Sequence, residues 1–139
     1  MIFSEGNHIE QIKAGTKTQT RRTSDRYEVG KLYAVQPCRT CKGIPDGKIL
    51  ITAKRLEVKT GPPWWWMILP HDAETEGGYT PQKYEELYEK MHPNWKERWA
   101  YLFRYYPTGA IEMMDRGEFP GFMLDTLESI SSKELRRDD

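Results

Sequence analysis

The segment 14–22, AGTKTQTRR, gathers the residue types best suited to chemistry in this chain. Lys17, Arg21 and Arg22 stand beside the hydroxyls of Thr16, Thr18 and Thr20, directly after Gly15. Cations at this density attract phosphate, and hydroxyls donate to phosphate or to base edges. In an extended chain Thr16, Thr18, Thr20 and Arg22 share one face and Lys17, Gln19 and Arg21 share the other. Lys17 and Thr20 then meet only if the chain turns or bulges between them. The same stretch also reads as a solvated, charged strand edge of the kind that discourages aggregation. Cys38-x-x-Cys41 is half of a zinc site, but a structural zinc needs four ligands. No second cysteine pair exists, and His8, His71 and His92 are scattered. The expectation is therefore two free thiols in a loop, with no metal and no cofactor. Trp64-Trp65-Trp66 follows a Pro-Pro break; one ring should fill the core and another could stack on a base. Lys42, Lys48, Lys54 and Arg55 either extend a positive face or are solvated strand ends.

The elements that must position these groups follow from periodicity. Ile9 and Ile12 place a helix over 8–14, and Gly15 stops it. Leu32 to Gln36 reads as a strand, and 37–47 is a loop rich in Gly and Pro. Residues 48–59 give the clearest strand signal, with Ile49, Ile51, Ala53 and Arg55 on one face. Pro70 marks a first helical turn for a short helix over 73–76, closed by Gly77-Gly78. Thr80-Pro81 opens a second helix as an N-cap followed by proline. Tyr84, Leu87, Tyr88 and Met91 form its apolar stripe. In 98–106, Trp99, Tyr101, Phe103 and Tyr105 alternate onto one face, which describes a strand. The order helix, three strands, helix, strand makes a small α+β domain with a mainly β core closing near Tyr106. Phe122, Leu124, Leu127, Ile130 and Leu135 suit a helix that packs back on that core.

Composition narrows the class. The chain has 139 residues, a length for one domain, and its 17 aromatics supply a large burial per residue. Formal net charge is zero, but residues 1–60 carry 12 basic and 6 acidic side chains and the remainder 9 and 15. The halves are thus +6 and −6, which suggests an anion-facing half. No apolar run approaches the roughly 18–20 residues of a membrane span, and no signal peptide is visible. The expectation is a cytoplasmic protein without a membrane partner, monomeric or weakly dimeric.

Several motifs together resemble a family. Gly15-x-Lys17-x-x-x-x-Arg22 is similar to the G-x-K-x-x-x-x-R signature of ASCH domains, relatives of the PUA fold. Val29 to Pro37, 49–57, the AETEG of 73–77, 80–91 and 98–103 resemble the family's later strands, turn and closing helix, in order. The resemblance covers residues 1–106 and leaves 107–139 as a C-terminal helical extension. It implies a PUA-like small β-barrel with flanking helices and a basic cleft that binds RNA or a modified pyrimidine nucleoside. Some small members are metal-independent N(4)-acetylcytidine amidohydrolases, which implies Thr20 as nucleophile, Lys17 as base and Glu76 as acid/base or orienting group. Around these three, charge and position make Gln19, Arg21, Arg22, Tyr79, Lys42 and Lys54 the expected substrate- or RNA-binding residues, with Tyr79, after the glycine turn, stacking on a base. The chemistry is reasonable because burial and neighbouring cations lower a lysine toward neutrality, and a hydroxyl needs a base to become a nucleophile. The residues themselves leave two readings open. A Lys17–Glu76 salt bridge would keep the amine inert, and the same groups suit a non-catalytic RNA-binding module.

Overall fold

A computed structural model of the chain describes residues 1–59 and 68–117. The Trp64–Trp66 triplet and the expected helix between Phe122 and Leu135 lie outside the described residues. The elements are α1 (His8–Ala14), β1 (Gln19–Arg22), β2 (Leu32–Ala34), β3 (Gly47–Val58), α2 (Pro70–Gly77), α3 (Pro81–Met91), β4 (Glu97–Pro107) and α4 (Thr108–Asp115). Together they form a small α+β domain with a curled, half-barrel antiparallel sheet of four strands, ordered β1-β4-β3-β2, and flanking helices.

The end of α1 and the start of α3 fall where local chemistry places them. Gly15 closes α1 in the left-handed region, φ 82°, at low steric cost. Thr80 accepts the Lys83 backbone N–H at 3.3 Å through its hydroxyl, and Pro81 follows in the first turn of α3. The helix expected over 73–76 starts earlier, at Pro70, because proline tolerates the first turn. The strand expected over 32–36 ends at Ala34. Beyond it the chain pairs with the N-terminal segment instead: Phe3 donates to the Gln36 carbonyl at 2.8 Å and Gln36 to that of Met1 at 2.8 Å.

The alternation in β4 holds. Tyr101 and Phe103 join Met1, Phe3, Ile12, Val35, Ile49 and Ile51 in the main core, with Trp99 and Tyr105 packed against it. The expected faces of β3 do not hold throughout. Ile51 pairs with Phe103, but Ala53 pairs with Leu102, so Thr52 is an extra residue in a bulge. Past the bulge the faces exchange. Ala53 and Arg55 leave the Ile49/Ile51 face, and Glu57 comes opposite Arg98. That opposite face is covered by α2 and α3, whose second core contains Ile68, Ala73, Tyr84, Tyr88 and Trp95. The stripe on α3 is also rotated from expectation: Tyr84, Glu85 and Tyr88 are buried, whereas Met91 is 54% exposed. The cause is Glu85, which turns inward to meet Arg98. Ala110, Ile111 and Met114 pack α4 against Leu50 and Tyr106.

The loop between β2 and β3 corrects another expectation. Cys38 and Cys41 are joined in a disulfide rather than free. A tight turn, in which Cys41 N–H donates to the Cys38 carbonyl at 3.2 Å, brings the Cα atoms within 5.0 Å.

Candidate functional site

Four parts of the chain line an open-mouthed cavity of about 240 Å³. Strand β1 contributes Thr20, Arg21 and Arg22, and Lys17 enters from the turn just before it. The end of α2 contributes Glu76 and then Tyr79; the remaining wall comes from α3, with Phe3 and His8 on the N-terminal side. Strict alternation would have separated Lys17 from Thr20. They share the cavity because the strand starts only at Gln19; before it, Lys17 N–H bonds back to the Gln11 carbonyl at 3.2 Å.

Lys17 is 3% exposed and Glu76 2%. The Lys17 amine donates to the carbonyls of Gln19, at 3.0 Å, and of Glu76, and lies 3.6 Å from Glu76 Oε2. Burial pushes the Lys17 ammonium below the ordinary lysine range; Glu76 pulls it partly back, and Arg22 adds to the lowering. The Thr20 hydroxyl accepts from Arg22 Nε at 3.2 Å, and Arg22 Nη2 donates to the Ile2 carbonyl at 2.6 Å. No hydrogen bond joins Lys17 to Thr20 among the described residues. Arg22 also lies 5.1 Å over the Phe3 ring, which forms part of the wall.

Behind this surface runs a buried chain of charges of alternating sign. Arg98 Nη1 donates to Glu85 at 2.9 Å, and Arg98 Nε to Glu57 at 2.8 Å. Arg21 grips the same Glu57 through Nε at 2.7 Å and Nη2 at 3.1 Å, and its Nη1 donates to Glu76 at 2.8 Å. Burial alone would lower the Arg21 guanidinium, but its bonds to Glu57 and the charge of Glu76 raise it instead. Glu57 is opposed by burial yet held below the usual carboxylate range by Arg21 and Arg98. The network fixes the Glu76 carboxylate in place, since buried charges persist only when paired and hydrogen-bonded.

The opposite wall is aromatic. The Tyr79 hydroxyl and His8 Nε2 are 3.0 Å apart. Burial, helped by Lys17 and Arg22, lowers His8 to about 4, so its ring is neutral at neutral pH. Gly77 lets these groups approach: a Cβ there would stand 2.7 Å from His8 Nε2. Burial also raises the Tyr79 and Tyr84 phenols.

The structure thus brings Lys17, Thr20, Arg21, Arg22, Glu76 and Tyr79 to one cavity. It does not bring Gln19, Lys42 or Lys54 there. The Gln19 amide donates to the Asp72 carbonyl at 2.8 Å and to Thr75 Oγ1 at 2.5 Å, clamping α2 to β1. Lys42 is exposed on the disulfide loop. Lys54 lies on the face exchanged by the bulge, donating to Asp25 at 2.6 Å over the Trp99 ring. Sequence reasoning missed Glu57, Glu85 and Arg98, whose only signal was a charge beside each apolar position, and Phe3 and His8, which carried none. No group of three or more His, Cys, Asp or Glu that could hold a metal occurs among the described residues. No helix among them is long and apolar enough to cross a membrane.

Compared with family models, curated proteins and solved structures, the chain finds no match.

Proposed function

We propose that this is an ASCH-type, PUA-like domain whose cavity binds an N(4)-acylated cytidine nucleoside and hydrolyses its amide. The observation that carries the reading is the convergence of an amine, a hydroxyl and a carboxylate from Lys17, Thr20 and Glu76 on one cavity. The depressed ammonium of Lys17 supports it, because only the neutral amine can act as a base. At about 240 Å³ the cavity is smaller than the ~300–1,000 Å³ of drug-sized sites and suits a ligand of nucleoside size or less.

The Lys17 amine takes the Thr20 proton as the hydroxyl oxygen attacks the acyl carbon. Arg22, already donating to that oxygen, is placed to stabilise the charge that develops beside it. The C–N bond breaks, the proton passes from Lys17 to the cytosine N4, and the acyl group remains as a Thr20 ester. Water, deprotonated by Lys17, then cleaves the ester and returns Thr20. Glu76 holds the amine toward the reaction throughout. Catalytic contacts commonly tighten when substrate is seated, and the Lys17–Thr20 contact forms at that point.

A second reading is a non-catalytic RNA-binding module. It is favoured by the Lys17–Glu76 ion pair and by the bonding of Thr20 to Arg22 rather than to Lys17. Incubation with N(4)-acetylcytidine separates the two. Cytidine release is expected from the wild type, with Lys17→Ala and Thr20→Ala each slowed at least about a hundredfold, the usual scale for removing a general base. No release, or release at the wild-type rate from Lys17→Ala, overturns the hydrolase.

A further inference from the structure

One wall of the cavity holds a polar group without a use inside the fold. Tyr88 on α3 lines the cavity and is 1% exposed, and its hydroxyl has no hydrogen-bond partner among the described residues. Buried hydroxyls are normally satisfied, because leaving one unpaired costs the full desolvation of the group. The ring is not free to turn toward a partner. Arg98 lies 4.7 Å over it, the His92 ring is 4.8 Å away, and the Trp95 ring meets it edge-on at 5.4 Å. Arg98 is itself held by Glu85 and Glu57, so the buried charge network fixes the position of the Tyr88 ring. Tyr79, another tyrosine of the cavity wall, differs in that its hydroxyl already bonds to His8.

We infer that Tyr88 is a recognition residue whose hydroxyl donates to a carbonyl acceptor on the bound pyrimidine, the O2 oxygen in a cytosine. The assignment deepens the proposed function and rests on its choice of a cytidine ligand. Burial raises the phenol to about 12, so at neutral pH it offers a proton and pairs with an acceptor. Cytosine O2 is such an acceptor. It flanks N3 on the same edge as the exocyclic amine, two ring atoms from the carbon that bears it, so a contact there holds the base without touching the bond that is cleaved. An aromatic ring fixed by packing orders little on binding, which favours a specificity contact.

The test is Tyr88→Phe, which keeps the ring and its stacking on Arg98 and removes only the hydroxyl. Because that hydroxyl makes no bond among the described residues, the variant is expected to unfold at a temperature equal to or above that of the wild type. Cytidine binding, measured by titration calorimetry, is expected to weaken about tenfold. The wild type is expected to bind cytidine better than 2-thiocytidine, whose sulfur is a poor acceptor, and Tyr88→Phe to lose that preference. Equal cytidine affinity in wild type and variant overturns the assignment and leaves the hydrolase untouched. Cytidine binding that depends on Tyr88, in a protein that releases nothing from N(4)-acetylcytidine, sinks the reaction but upholds the assignment. A wild type that does not bind cytidine overturns the assignment and leaves the hydrolase to be decided by release from N(4)-acetylcytidine.

Discussion

The imidazole of His8 is half-buried, near Lys17 and Arg22, and its hydrogen bond to Tyr79 spans the edge of the cavity. Its proton affinity is lowered in the folded state, from an ordinary 6.5 to about 4. Between those values the unfolded chain binds more protons than the folded one, so stability falls as pH drops through that window. His92 is shifted in the same direction by burial and by Arg22. Substituting His8→Gln keeps a hydrogen-bonding group for Tyr79 and removes one of the two titrations. The urea midpoint of the variant should therefore fall less between pH 7 and pH 4.5 than that of the wild type. Identical pH dependence in the two proteins would show that His8 keeps its ordinary affinity. Lys17 follows a related logic at higher pH. Its lowered ammonium places the rising limb of a Lys17-dependent rate below the ordinary lysine range.

At the scale of elements, one inserted residue decides where the buried charges meet. Were Thr52 paired in regular alternation instead of bulged out, β3 would carry Glu57 onto the Ile49/Ile51 face, away from Arg21 and Arg98. Inserting one residue between Lys54 and Arg55 should therefore turn Glu57 to the other face, strand buried charges and cost more than about 4 kcal/mol, enough to abolish cooperative unfolding in circular dichroism, whereas deleting Thr52 keeps Glu57 opposite Arg98. Thr52→Ala keeps the bulge and loses only the hydroxyl's 3.3 Å bond to the Leu102 carbonyl, a cost of about 1 kcal/mol. An insertion variant as stable as Thr52→Ala would show that the register of β3 does not place these charges. The bulge also explains what the sequence concealed. The α1 stop at Gly15, the Thr80-Pro81 opening of α3 and the aromatic alternation of β4 were legible because each is a local signal. A strand with an extra residue alternates as regularly in sequence as one without. Glu57, Glu85 and Arg98 therefore read as solvated charges, since the partners that permit their burial lie on other elements. The spacing of Cys38 and Cys41 suits a thiol pair, a metal ligand pair or a disulfide equally well. Lys17, Thr20 and Glu76 were readable as chemical types, but their meeting depended on where β1 begins.

Across the whole molecule part of the charge asymmetry along the chain is met within the fold. Lys17 and Arg21 from the basic half meet Glu76 from the acidic half, as Arg55 meets Asp72 and Lys59 meets Glu89. The cations nearest the cavity therefore do not form a solvent-facing strip for a phosphate backbone: Lys17 and Arg21 are each 3% exposed. Their burial bears on the choice between a nucleoside and a polynucleotide as ligand. A protein that neutralises several phosphates releases counterions, and its affinity falls steeply and linearly in log–log form as salt rises. An uncharged nucleoside releases none, and the buried ion pairs that shape its site are only weakly screened. The kcat/KM for N(4)-acetylcytidine should accordingly change less than about twofold between 50 and 500 mM salt, whereas single phosphate contacts already confer measurable slopes. The same measurement on an acetylated RNA oligonucleotide supplies the contrast. A preference for the oligonucleotide that collapses with salt would mean that exposed cations outside the cavity, such as Lys42 on the disulfide loop, carry the binding. Flat profiles for both substrates would mean that the cavity does.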